Sequence, residues 1–436
     1  MAIRSFSKVA WLPAALALLT AGNAQAVPAF ARQTRLDCTN CHLSWLELSP
    51  TGRQFKLNGY TLGDRQTLPF AGMLQISDTS TSRVDPNSPD NFPKNNSGVL
   101  QQASLFAAGK ISEHFGGFSQ WTYDGVAHHS SIDNVDLRYA NHLGEDGPLY
   151  GFTVNNNPGV QDVFNTVPAW GFPFASSSVS VAPNASTMIE EGLGQQVAGI
   201  GAYGLWHDTV YAELSGYRTA DGLLSLFRAG VPKADQSAIK GTNPYWRLAL
   251  QHEWEDGRQS AMVGAYGMTV DKYPDSTQPT GPTDRFRDLA FDAQYQYITD
   301  KHRWSAQLNW ITEKQDWNAS CTPDVTCNPS DTLRTFRAKG TYYYAKKYGI
   351  NLGWFSTQGD ADGIYNTGDP VTGSTTGSPN TTGYVVELDY LPKRDIRLML
   401  QYTGYTKFNG ARDNYDGQGR NARDNNSLYL LAWFMF

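Results

Sequence analysis

Beyond position 26 the chain has no run of about 18 apolar residues, so the rest of it cannot cross a bilayer as a helix. Charge is scarce. Asp, Glu, Lys and Arg supply 17% of the 436 residues, and a formal net charge of −6 offers no basic field for nucleic acid. Cysteine occurs four times, as Cys38, Cys41, Cys321 and Cys327. The two pairs lie far apart, so a zinc site at either would be short of ligands. Between positions 43 and 72 there is no methionine and no second histidine.

Aromatics are plentiful, at 13%, with 12 Trp and 23 Tyr, and there are 41 Gly. Few charges with many interfacial aromatics point to a bacterial outer-membrane β-barrel. Residues 1–26 read as an export signal. Arg4 and Lys8 give the charged start, 9–21 the apolar stretch, and Ala24-Gln25-Ala26 the cleavage site, so the mature chain is expected to begin at Val27. The stretch is too short for a membrane anchor and contains Pro13. The expected location is the cell outer membrane, reached by export.

Cys38-Thr39-Asn40-Cys41-His42 is a C-x-x-C-H motif. Two thiols at this spacing can form thioethers with the vinyl groups of haem, and the imidazole that follows can ligate the iron. A redox dithiol would sit beside a βαβ pattern, and none follows. One covalently attached c-type haem is therefore expected on Cys38 and Cys41, with His42 as an axial ligand. The sixth ligand stays open among Met73 at the base of the first strand, Met399 and His142 on polar strand faces, water, or none.

From residue 71 the pattern alternates with period 2. In 396–408, Ile396, Leu398, Leu400 and Tyr402 face one way, and Arg397, Met399, Gln401 and Thr403 the other. Strands 246–254 and 289–297 alternate in the same way, placing Trp246, Leu250 and Phe291 toward lipid. About sixteen strands are expected, from 71–82 and 100–111 to 396–408 and 425–436, with short and long connections in turn. The last strand ends in Phe436, which resembles the signal read by barrel-assembly machinery. The fold class is all-β: an antiparallel transmembrane β-barrel of about 16 strands with a small N-terminal haem plug. The organisation is 1–26 signal, 27–70 monohaem segment with a short helix at 49–58, and 71–436 barrel.

Other features have blander readings. Cys321 and Cys327 are expected to close a loop as a disulfide. Gly199-Ile200-Gly201-Ala202-Tyr203-Gly204 matches a dinucleotide fingerprint but lies in a strand with no helix after it. Gly359-Asp360-Ala361-Asp362-Gly363 suits a hard cation, though a solvated loop explains it more simply. Asp162, Glu190, Glu191, Asp316, Asp324, Asp360, Asp362 and Asp369 fall in long connections and are expected to make the outer face acidic.

Pro28-Ala29-Phe30-Ala31-Arg32-Gln33-Thr34, then Cys38-x-x-Cys41-His42, then Gly52-Arg53-x-Phe55-Lys56-x-x-Gly59-Tyr60-Thr61, resemble the fused outer-membrane monohaem cytochrome–porins of iron-oxidising bacteria. Arg35 stands where that family usually has Gly, and 43–51 lacks its Phe-Pro element. The resemblance implies a haem segment within or under a sixteen-stranded porin. It also implies iron:cytochrome c oxidoreductase activity, with electrons from extracellular Fe(II) passing to a periplasmic cytochrome c. Arg32, Arg53 and Lys56 are then expected near haem propionates or lumen acids such as Glu387 and Asp389. Two alternatives stand beside this: a solute channel with a haem-bearing plug, and a conduit for another donor or acceptor.

Overall fold

The computed structural model describes residues 28–436 apart from 45, 66, 67, 85–94, 96, 146, 169, 170, 173, 184, 322–326 and 366–368. The expected export signal lies outside the described residues. Eight strands make the first half: β1 (Phe70–Thr81), β2 (Ser97–Lys110), β3 (Phe115–Asp124), β4 (His129–His142), β5 (Leu149–Asn155), β6 (Val197–Trp206), β7 (Val210–Thr219) and β8 (Asn243–Trp254). The second half adds β9 (Gln259–Lys272), β10 (Asp284–Ile298), β11 (His302–Asp316), β12 (Ser330–Tyr344), β13 (Tyr348–Gly359), β14 (Thr381–Lys393), β15 (Ile396–Lys407) and β16 (Ser427–Met435). Each pairs antiparallel with its chain neighbours, and β1 pairs with β16, so the barrel closes on sixteen strands as the alternation implied.

The pleat decides what faces lipid. In β10, Asp288, Asp292, Gln294 and Gln296 are buried inside, while Leu289 and Phe291 are 47% and 54% exposed outside. Leu248, Leu250, Val263, Leu308, Leu352 and Leu430 continue the outer apolar band. Trp206, Trp254, Trp304, Tyr344, Tyr348 and Tyr390 ring the end that carries the short turns. An apolar band with an aromatic girdle is the exterior of a transmembrane barrel. Among the described residues no helix is long and apolar enough to cross a membrane.

At the closing seam Gly72 and Phe436 exchange backbone hydrogen bonds of 2.6 and 2.9 Å. A Cβ at Gly72 would lie 2.2 Å from the Phe436 ring, so only glycine lets the terminal aromatic fold over the seam.

The N-terminal segment sits inside the lumen. It has three helical pieces: α1 (Pro28–Thr34), α2 (Cys38–Cys41) and α3 (Pro50–Leu57). Ser49 caps α3 by accepting from the Gly52 amide at 3.2 Å, with Pro50 at the first helical position. A Cβ at Gly52 would meet the Cys41 carbonyl oxygen at 2.2 Å, so this glycine lets α3 lie against the Cys38–Cys41 turn. Wall contacts hold the plug. Lys339 pairs with Glu47 at 2.9 Å, both buried. Arg53 donates to Gln296 at 2.8 Å and Gln294 at 3.1 Å. Tyr60 donates to Asp136 at 2.6 Å, and Tyr203 donates to the Leu57 carbonyl at 2.7 Å.

The connection 156–196 folds inward rather than standing out as an external loop. Val160, Val163, Phe164, Val167, Ile189 and Leu193 would face water if it extended; instead all are buried. Asp162 accepts from the Phe164 and Thr166 amides, each at 2.9 Å, and lies 3.6 Å from the buried Arg247, which also binds Asp292. Glu190 is buried against Arg337 at 3.1 Å.

The expected acidic outer face is therefore much reduced. Asp162 and Glu190 are internal, and Asp316 pairs with Arg287. Asp360 accepts from the Thr332 amide at 2.8 Å, and the buried Asp362 from the Ile364 amide at 2.7 Å, so both shape loops. Asp369 is exposed; Asp324 and the Glu191 side chain lie outside the described residues. Cys321 and Cys327 are joined as a disulfide with Cα atoms 5.7 Å apart.

Candidate cofactor site

A cavity of about 380 Å³ lies between the plug and the wall formed by β16 and β1–β4. Volumes of about 300–1,000 Å³ are usual for cofactor and ligand pockets. The plug contributes Cys38, Cys41, His42 and a cluster of rings. Phe30 stacks on Tyr60 at 5.3 Å, and Phe55 meets Phe30 edge-on at 4.9 Å. The wall contributes Met73, Phe106, Phe118, Trp433 and Met435, and the inserted connection adds Phe174 and Ala175.

The attachment turn is held from behind. The His42 amide donates to the Cys38 carbonyl at 2.8 Å, closing the turn. From β11, Arg303 donates to the carbonyls of Thr39 and His42, the latter at 3.3 Å. Burial lowers the His42 pKa to about 4, so its imidazole is neutral with a lone pair to offer. Its Nδ1 is buried with no hydrogen-bond partner among the described residues. Burial, then the neighbouring Cys38, pushes the Cys41 thiol up to about 11.

These residues fit a covalently held haem. Two cysteines one turn apart and a neutral histidine with an orphaned ring nitrogen share one cavity with aromatic walls. Cys38 and Cys41 would carry the thioethers and His42 the axial bond.

Of the candidates for a sixth ligand, Met73 lines this cavity, and its sulfur accepts from Gln75 Nε2 at 3.7 Å. Met399 is buried on the lumen side of β15 but does not line the cavity. His142 is exposed at the end of β4, 3.2 Å from the Gly147 carbonyl oxygen. Met435 lines the cavity too and was missed by sequence reasoning. Barrel closure could have revealed it, because the last strand of a closed meander returns to the first.

The basic residues fall differently from expectation. Arg32 is turned to the Leu68 and Phe70 carbonyls at the barrel base. Arg53 is held by lumen amides and lies 3.5 Å from Glu253. Only Lys56 of the three lines the cavity, and it donates to the Asp162 carbonyl at 2.9 Å. Glu387 and Asp389 are taken by Arg397, at 2.6 and 2.7 Å. For Arg53 and Lys56 the cause is shared: a buried guanidinium or ammonium draws the nearest oxygens, and the lumen supplies them.

Toward the long connections the cavity turns polar, lined by Gln101, Gln102, Gln120, Thr122 and Asp133. Asp133 accepts from Thr122 at 3.0 Å and Gln102 at 3.2 Å. Among the described residues no group of three or more His, Cys, Asp or Glu is arranged to hold a metal ion.

No protein-family model matches this chain, and no curated protein does. Among solved structures the chain is similar to several outer-membrane proteins. A loop L8 deletion mutant of OmpT from Vibrio cholerae has 11% identity and a TM-score of 0.46, over 84% of this chain and 98% of that one. The channel DcaP of Acinetobacter baumannii has 13% identity and a TM-score of 0.45, over 84% and 96%. OmpF of Salmonella typhi, in complex with daunomycin, has 10% identity and a TM-score of 0.46, over 84% and 97%.

Proposed function

We propose that the protein is an outer-membrane electron conduit that takes electrons from extracellular Fe(II) and delivers them to a periplasmic cytochrome c. The observation that carries this reading is the single cavity shared by Cys38, Cys41, His42, Met73 and Met435. When bound there, a c-type haem supplies one-electron chemistry at its iron. The chain's own residues do the rest. Cys38 and Cys41 would hold the group, and His42 with a thioether from Met73 or Met435 would be the ligands on offer to its iron. The rings of Phe30, Phe55 and Tyr60 exclude water, and the inserted connection roofs the site. Iron as donor rests on the resemblance carried by residues 28–61.

A second reading, a solute channel with a haem-bearing plug, draws support from the polar end of the cavity, lined by Gln101, Gln102 and Thr122. One experiment separates the two. Purified protein is assayed for covalent haem after acid–acetone extraction, titrated with Fe(II) while its spectrum is recorded, and incorporated in planar bilayers. The conduit reading expects retained haem, reduction by Fe(II) and low conductance. An oxidised spectrum with free ion passage would replace it with the channel reading.

A further inference from the structure

The short turns at the plug's end of the barrel are segregated by charge. Consecutive turns after β2, β4, β6 and β8 expose Glu113, Glu145, Asp208, and then Glu255 with Asp256. Two bases lie on this arc: exposed Arg258, and Lys110, which is engaged with Glu113 at 2.9 Å. The turns after β10, β12 and β14 reverse the sign. They present Lys301, Lys346, Lys347, Lys393 and Arg394 against Asp300 and Asp395. Asp300 lies 3.6 Å from Lys346.

The attachment turn leans on the basic arc. Arg394 pairs with Asp37, the residue before Cys38. Arg303, at the base of β11, holds the carbonyls of Thr39 and His42 and has no carboxylate at ion-pair distance among the described residues. Lys346 lines a small recess together with Cys38, Thr39 and His42. The same motif that would carry the cofactor is thus bordered by bases, while the acids stand on the opposite side of the rim.

We propose that the arc of Lys301, Lys346, Lys347, Lys393 and Arg394 is the docking surface for an acidic periplasmic electron-transfer protein. This rests on the conduit reading above, and on the short turns facing the periplasm as they do in outer-membrane barrels. Opposite charge at the arc steers the partner's approach, and the acidic arc across the rim repels the same partner. Together they orient it so that its redox centre arrives beside Cys38 and His42 rather than across the barrel mouth. Exposed lysines on short turns give fast association and weak retention, which a turnover partner needs.

The test uses the full chain in detergent with two small soluble c-type cytochromes as probes, one of net negative and one of net positive charge. Binding is measured first by titration at rising salt, which does not depend on haem in the barrel. Electron transfer from the reduced protein to each oxidised probe is then followed by stopped flow. The acidic probe is expected to bind and react at least about tenfold faster at low salt, within the 10–10³ range of electrostatic steering. A Lys346→Glu, Lys347→Glu, Lys393→Glu variant should lose about tenfold and most of its salt dependence, whereas Glu255→Lys with Asp256→Lys, which removes repulsion from the far arc, should leave binding of the acidic probe undiminished. Equal binding of both probes, or an unaltered triple variant, overturns the docking surface. So does a triple variant that loses only its affinity for phosphatidylglycerol vesicles, since the arc would then be a lipid contact. Binding of the acidic probe without electron transfer keeps the surface and sinks the conduit reading instead.

Discussion

Met73 and Met435 stand directly opposite each other where the first strand pairs with the last, and both side chains line the cavity shared with His42. Two thioethers from residues far apart in the chain are thereby placed in one cavity with one imidazole.

The pair makes axial ligation testable. Methionine opposite histidine raises a haem's reduction potential. On the conduit reading, Met73→Ala or Met435→Ala should leave haem attached to Cys38 and Cys41 while lowering the potential and removing the near-infrared sulfur-to-iron band. If neither variant shifts the potential or the band, the sixth ligand is elsewhere.

Glu47 and Lys339 clamp the plug to the wall, with side chains 0% and 2% exposed. Lys339→Ala leaves a buried carboxylate unpaired and should cost about 3–5 kcal/mol, whereas Lys339→Met with Glu47→Met should recover most of it. The readouts are the unfolding midpoint and protease access to 43–65. Unchanged access in the single variant would mean that the plug is anchored by other contacts.

Asp162 organises the inserted connection, with bonds from the Phe164 and Thr166 amides and Arg247 beside it. Asp162→Ala should free this segment from the lumen, raise bilayer conductance and leave the outer strands intact. A conductance equal to wild type would show that the roof stays in place without it.

The lipid face predicts position-dependent tolerance. Leu250 and Phe291 are 55% and 54% exposed on the outer band, and Arg at either should cost about 2–4 kcal/mol if near the midplane. Leu250→Phe should be nearly neutral. Folding titrations into lipid vesicles would measure both, and an equal cost for Arg and Phe would move Leu250 out of the apolar band.

Much of the barrel was readable from residues alone, because a period of two with one apolar face leaves each strand a single side to turn outward. In 396–408 the alternation of Leu398 and Leu400 with Arg397 and Met399 matches the observed outer and inner faces of β15. The cavity was harder to read. Cys38, Cys41 and His42 announce themselves by spacing, but Met435 reaches the site only through closure of the ring. Asp162 and Glu190 looked like solvated loop acids because local composition carries no record of Arg247 and Arg337, their partners on distant strands. Arg53 and Lys56 do not meet Glu387 or Asp389 for the same reason. A lumen offers many oxygens, and only the three-dimensional path of α3 decides which are near.

The seam carries a constraint on biogenesis. The cavity wall includes β1 and β16, the first and last strands of the barrel, and they meet at Met73 and Met435. Until that final pairing forms, one side of the chamber is missing and the N-terminal plug has nothing to rest against there. The contact of Phe436 with Gly72 completes that wall. A group carried on the Cys38–His42 motif would therefore have to be attached before the ring closes, while that side of the chamber is still open.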